Sequence, residues 1–170
     1  MTQPRPIVVI SRCIDFDSCR YNGQVIHASL REKLEPLVEL RPICPELEIG
    51  LGVPRDPVNL VWAGGEVRMV QPSTGRDLTA AMRSFSDRFL DSLEAVDGFV
   101  LKSRSPSCAV GDARISDEGK GPGLFANRVL ERFPQTAVED EARLQDEAVR
   151  RAFLDEVFAH AAERLEKALG

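Results

Sequence analysis

The sequence predicts an α/β fold: a single three-layer domain over residues 1–170, a mostly parallel sheet flanked by helices, with its site at the carboxyl edge of the strands. Three observations predict it. Short apolar runs at 7–10, 38–43 and 98–101 alternate with segments whose apolar residues recur every three or four positions, the pattern of strands joined by helical crossovers. Each run empties into a polar loop carrying a thiol, at Cys13, Cys44 and Cys108. No internal repeat or linker composition divides the chain.

The first run, IVVI, suits a strand covered on both faces. It leads into SRCIDFDSCRYNG, a loop with two thiols, Cys13 and Cys19, closed by the turn signal Asn22-Gly23. Their spacing fits neither a CxxC redox pair nor a zinc ribbon. A helix is expected over about 28–37, with Leu30, Leu34 and Leu37 on one face, followed by the second strand and Cys44. In PELEIGLGVPRDPV, Glu46 and Glu48 lie among glycines and prolines, which reads as a pocket-lining loop and not a helix face. Gly50-Leu51-Gly52 is too short for a phosphate cradle.

Residues 60–63 and 67–70 read as a hairpin around Gly64-Gly65. Asp77 opens a helix to about residue 96, with Leu78, Met82, Phe85, Phe89 and Leu93 inward. The third strand then runs into KSRSPSC, a proline-stiffened loop ending at Cys108. The glycine-rich stretch 111–123 is expected to be a mobile surface segment able to serve as a lid. A helix over 124–132, a strand near 136–138 ending in Glu139-Asp140-Glu141, and a long helix over about 146–169 complete the chain. Val149, Phe153, Val157, Ala161 and Leu165, spaced by four, mark the inner face of that last helix.

Bulk properties exclude several function classes. A net charge of -5 without a long basic run argues against a nucleic-acid footprint. No apolar stretch approaches the roughly 18 residues of a membrane span, and no charged-then-apolar leader precedes the first strand, so a cytoplasmic protein without a membrane partner is expected. In that compartment the 4 cysteines are ligands, nucleophiles or core thiols before they are a disulfide framework.

A parallel sheet places all carboxyl ends at one edge, so Cys13, Cys44 and Cys108 can converge there although far apart in sequence. A single cysteine more often packs as a small hydrophobe. Three, each just past a strand among Ser, Arg, Pro and Glu, are not explained by packing alone. Thiolates select zinc, copper(I) or iron–sulfur clusters. Cys19 is available to close a structural zinc site, whereas three thiolates on a four-iron cluster leave one iron open to a substrate heteroatom; spacing alone does not choose between them.

The motifs SRCIDFDSCRYNG, PICPELEIGLGVPRDPV, TGRDLT, DGFVLKSRSPSC and GPGLFANRVLERFPQTAVEDEARL, in this order over nearly the whole chain, resemble the desulfidase family typified by bacterial thiouracil desulfidase. The long PELEIGLGVPR loop is similar to the branch that often precedes a further C-terminal helical domain, which this sequence is expected to lack. The resemblance implies a [4Fe-4S] cluster on Cys13, Cys44 and Cys108, with substrate sulfur binding the open iron and water replacing it without net redox change. It implies catalytic roles for Glu46 and Ser105, and a small-molecule thiolated base or similar thiocarbonyl compound as substrate. Ala109 departs from the family pattern, which has glycine after the last cysteine.

Two other classes are weighed beside it: a non-catalytic metal-binding module closed by Cys19, and a thiol-redox protein using Cys13 and Cys19. For Glu46 the plain structural alternative is an ion pair with Arg12, Arg55 or Arg104 that merely holds the loop.

Overall fold

A computed structural model describes residues 5–117 and 119–170. Its elements in chain order are β1 (Ile7–Ser11), α1 (Leu30–Leu34), β2 (Glu39–Ile43), α2 (Pro45–Glu48), β3 (Asn59–Ala63), β4 (Glu66–Gln71), β5 (Arg76–Asp77) and α3 (Thr79–Ser92). There follow β6 (Gly98–Leu101), β7 (Ala113–Arg114), β8 (Lys120–Gly121), α4 (Leu124–Arg132), β9 (Ala137–Asp140), a 3-10 turn (Arg143–Gln145) and α5 (Glu147–Leu169).

The main sheet is parallel throughout, in the order β2-β1-β6-β9. Its register aligns the strand ends: Ser11 lies beside Ile43, and Ile10 beside Val100. Side chains alternate between two helical layers. Val8, Ile10 and Val100 pack with Leu30, Leu34, Phe153 and Val157 of α1 and α5. Val9, Phe99 and Leu101 pack on the opposite face with Met82, Phe85, Leu90, Phe125 and Val129 of α3 and α4. Full burial of a side chain such as Phe99 contributes ~1.5–3 kcal/mol. The α/β class, with a parallel sheet between helices, is therefore the observed one.

Several boundaries differ from expectation, each for a local reason. Helix α1 is shorter than 28–37 because Pro36 has no N–H to continue the ladder, and Ser29 already sits in the left-handed region at φ 55. Helix α3 stops at Ser92, where Leu93 turns extended to feed β6. Its start is fixed by Asp77, whose carboxylate accepts from the Thr79 N–H at 3.0 Å. Glu46 lies not in open loop but in the single turn α2, which Pro45 opens.

The stretch 111–123 is not a free lid. Strands β7 and β8 pair antiparallel, Ile115 bridges to Leu60, and the Ser116 N–H donates to the Leu60 carbonyl at 2.9 Å, so the segment is fastened to the small antiparallel sheet β3-β4-β5. Glu118, part of that expectation, lies outside the described residues. Helix α5 begins where expected: Asp146 caps it by accepting from Ala148 and Val149. No helix among the described residues is long and apolar enough to cross a membrane.

Candidate functional site

Three loops leaving β1, β2 and β6 enclose a cavity of about 380 Å³ at the carboxyl edge of the sheet. Cys13, Cys19, Cys44, Glu46, Ser105 and Cys108 all line it. The structure thus brings together all four cysteines and both candidate catalytic residues, whereas Glu48 does not line the cavity.

The first loop is held from both ends. Past β1 the Arg12 N–H donates to the Ile43 carbonyl at 2.8 Å, prolonging the ladder to the position before Cys13. Asp15, at φ 63, turns its carboxylate onto the start of α1, accepting from Ala28, Ser29, Leu30 and Arg31 N–H groups at 2.7–3.1 Å. An acid at a helix amino end satisfies orphan donors and meets a favourable dipole. The loop that presents Cys13 and Cys19 is thereby tied to the helical layer.

Cys44 is the residue before α2, and the neighbouring Pro45 is buried. One residue into the turn, Glu46 is directed at the cavity, and both its oxygens are engaged. Oε1 accepts from Arg55 Nη2 at 3.1 Å and Nε at 3.3 Å, and Oε2 accepts from the Ser107 hydroxyl at 2.9 Å. The pair is half-buried, its side chains 7% (Arg55) and 13% (Glu46) exposed. Of the three arginines weighed as partners, Arg55 is the one; Arg12 pairs with Asp17 instead.

Cys108 is presented by a turn that its own loop caps. Ser105 Oγ accepts from the Ser107 N–H at 3.1 Å and the Cys108 N–H at 3.0 Å. Ser11 Oγ accepts from the Lys102 N–H at 2.9 Å, joining the ends of β1 and β6. Gly123 allows α4 to approach this turn: a Cβ there would collide with the Ser107 carbonyl group and lie 2.8 Å from the Cys108 nitrogen.

All four cysteines are free. Interaction with the Cys13 thiol is the main cause of a Cys19 pKa pushed up to about 11, and the Cys44 thiol donates to the Cys19 carbonyl at 3.9 Å. Hydrogen bonding to Cys19, then burial, raises Cys44 further. Burial pushes Cys108 up to about 12, although the Ser11 and Ser105 hydroxyls at its sulfur favour the thiolate. A metal or cluster takes the thiolate form of its cysteine donors, so loading such a site releases protons.

Among the described residues no three Cys, His, Asp or Glu side chains gather closely enough to hold a single metal ion. Neither histidine lines the cavity; His160 instead meets Asp97 at the far end of the sheet. Thiols spread around a cavity, with no imidazole or second carboxylate among them, form a soft donor set that fits an iron–sulfur cluster.

Five polar residues around the site carried no catalytic or binding role from sequence. Arg55 was legible only as one of three partners for Glu46. Ser107, fully buried, sat unnoticed inside SPSC, and Ser11 inside SRC. Lys102 lines the cavity and meets Glu141 at 3.5 Å; Glu141 also accepts from the Ser103 N–H and hydroxyl at 2.5 and 2.9 Å. The acidic end of the 136–141 segment was the signal for Glu141.

Fold and site together define a class: an α/β protein with a thiol-lined cavity where its parallel strands end. Within that class, the sequence model of the 2-thiouracil desulfurase family matches residues 8–141, and the chain belongs to that family. It is similar to Bacillus subtilis (strain 168) YbbK, an uncharacterized protein, at 30% identity over 115 residues, covering 62% of this chain and 74% of YbbK. Among solved structures it is similar to the [4Fe-4S]-dependent thiouracil desulfidase TudS, with a TM-score of 0.65 and 26% identity, covering 88% of this chain and 99% of TudS.

Proposed function

We propose that this chain is a cytoplasmic [4Fe-4S]-dependent desulfidase that removes sulfur from a small thiolated nucleobase or similar thiocarbonyl compound, with water replacing the sulfur and no net redox change. The observation that carries the reading is the convergence of Cys13, Cys44 and Cys108 on one cavity beside the half-buried Glu46 carboxylate. Those three thiols would hold the cluster. When bound, it supplies a Lewis acid with affinity for soft sulfur at an iron that has no protein ligand.

The chain's own residues do the rest. Glu46, two positions after a ligand, takes the proton of the attacking water, and its Oε2 keeps acceptor capacity beyond the Ser107 hydrogen bond. Ser105 uses its oxygen to accept two backbone N–H groups, and its single proton, which faces the Cys108 sulfur, is the one it can offer to the leaving sulfur. The three loops shield most of the carboxylate from bulk water, which strengthens each of these interactions.

The test follows sulfide release from 2-thiouracil and related thiolated bases by anaerobically reconstituted protein. Release by the parent, with loss in Glu46→Gln and Ser105→Ala proteins that hold a full cluster, is the expected result. No release from any thiolated base sinks the desulfidase reading.

A second reading, thiol-redox chemistry, is favoured by one observation: Cys13 and Cys19 are both free and line the same cavity. Reactive thiols need a lowered pKa, and that of Cys19 is raised. A Cys13–Cys19 disulfide forming reversibly in the native protein under mild oxidation would restore this reading.

A further inference from the structure

Arg55 makes more hydrogen bonds than an ion pair needs. Its Nε and Nη2 reach Glu46 Oε1, its Nη1 donates to the Cys19 carbonyl at 2.8 Å and the Gly52 carbonyl at 3.0 Å, and its own N–H donates to the Tyr21 carbonyl at 2.8 Å. Three separate segments therefore meet on one guanidinium: α2, the loop carrying Cys13 and Cys19, and the loop around Gly52. A planar fork holds its donors in fixed directions toward such divergent acceptors, whereas the three donors of an ammonium rotate on a flexible stem. On the other side of Glu46, the fully buried Ser107 hydroxyl fixes Oε2. Glu46 is thus clamped between two donors, Oε1 accepting twice from Arg55 and Oε2 once from Ser107.

We infer that Arg55 is a positioning residue for the reaction: with Ser107 it holds the Glu46 carboxylate in one orientation toward the cavity, and it sets the distance between Glu46 and the Cys19 loop. The inference rests on the desulfidase reading for its kinetic consequence, and on geometry alone for the placement of Glu46. A purely structural staple is the competing explanation. It would cost stability in proportion to the hydrogen bonds broken and leave the turnover of folded, cluster-loaded protein unchanged.

The experiment uses the full chain with Arg55→Gln and Arg55→Lys, each brought to the parent's cluster content. With 2-thiouracil as substrate, Arg55→Gln is expected to keep KM within about twofold and lose roughly 10–100-fold in kcat, the scale of an ångström's misplacement of a catalytic group. Arg55→Lys, which restores one charged donor, recovers part of that loss. Adding Arg55→Gln to Glu46→Gln lowers kcat no further than Glu46→Gln alone, because a positioning residue has nothing left to position.

Crystal structures of the cluster-free variants supply the readout independent of turnover: Glu46 leaves Ser107 in Arg55→Gln and returns in Arg55→Lys. Glu46 remaining on Ser107 in Arg55→Gln overturns the inference, as does a kcat within twofold of the parent. If the parent releases no sulfide, the functional reading fails while the crystal structures still decide whether Arg55 positions Glu46.

Discussion

The two ends of the parallel sheet each bury a carboxylate against an arginine, and they use that pair for different purposes. At the amino end Asp97, wholly buried, is saturated: it accepts from the Ile7 N–H at 2.8 Å, from Arg164 Nε at 3.0 Å and Nη2 at 2.8 Å, and meets His160 Nδ1 at 2.9 Å. Helix α5 is thereby locked to the start of β1 and β6. At the carboxyl end Glu46 is also paired, but it borders a cavity ringed by thiols and keeps part of its acceptor capacity open. The lesson is that a buried ion pair does not identify a site; unspent hydrogen-bonding capacity facing a cavity does.

Exchanging the two carboxylates for amides separates them most sharply. In cluster-loaded protein Glu46→Gln is expected to lower sulfide release about 100-fold or more, the range of a lost general base. Asp97→Asn should leave kcat per folded molecule near the parent value while lowering unfolding stability by about 2–4 kcal/mol, because Arg164 and the Ile7 N–H lose a charged partner. Denaturant unfolding alongside single-turnover assays checks both. Equal kinetic losses in the two variants would erase the distinction.

Acid sharpens it further. Burial opposes the charge of Asp97, but Arg164, the Ile7 N–H and His160 outweigh burial and hold its carboxyl below the usual range. A carboxyl depressed in the folded state stabilises fully above its unfolded value of about 4, and that contribution disappears as pH falls through the lower folded value. Parent stability should therefore fall below about pH 4, with a shallower decline in Asp97→Asn, measured by denaturant midpoints across the acid range.

A pair of glycines makes the same comparison at smaller scale. A Cβ on Gly98 would come within 2.7 Å of Val157 Cγ2 and 3.2 Å of the Phe153 ring, so Gly98→Ala should cost about 1–3 kcal/mol through overpacking and spare the site. A Cβ on Gly123 meets backbone of the Ser107–Cys108 turn, which cannot rotate away. Gly123→Ala is expected to reduce cluster loading more than global stability. Iron content and thermal midpoint, measured together on both variants, decide it.

The sheet was legible because β1 and β6 are apolar runs and because β1, β2 and β6 each lead into a thiol, and periodicity carried α5 nearly to its ends. What escaped was set by single residues acting through tertiary structure. Pro36 shortened α1, and the bridge from Ile115 to Leu60 fastened a segment whose glycines read as mobile. At the site, cysteines and Glu46 announced themselves by position, whereas Ser107 and Arg55 matter through partners 61 and 9 residues away in sequence. Hydroxyl and guanidinium groups are common everywhere; only the fold shows which ones converge.

The central claim is that three of the four thiols hold a four-iron cluster with one iron left open, and metal analysis of five proteins tests it most directly. The parent and the Cys13→Ser, Cys44→Ser, Cys108→Ser and Cys19→Ser variants are reconstituted anaerobically with iron and sulfide, then measured for iron, acid-labile sulfide and the electron paramagnetic signal of the reduced cluster. The account predicts a four-iron signature in the parent and in Cys19→Ser, and its loss in the other three. Loss of iron in Cys19→Ser equal to that in the others would show a site closed by all four thiols, with no iron open to substrate sulfur, and would contradict it.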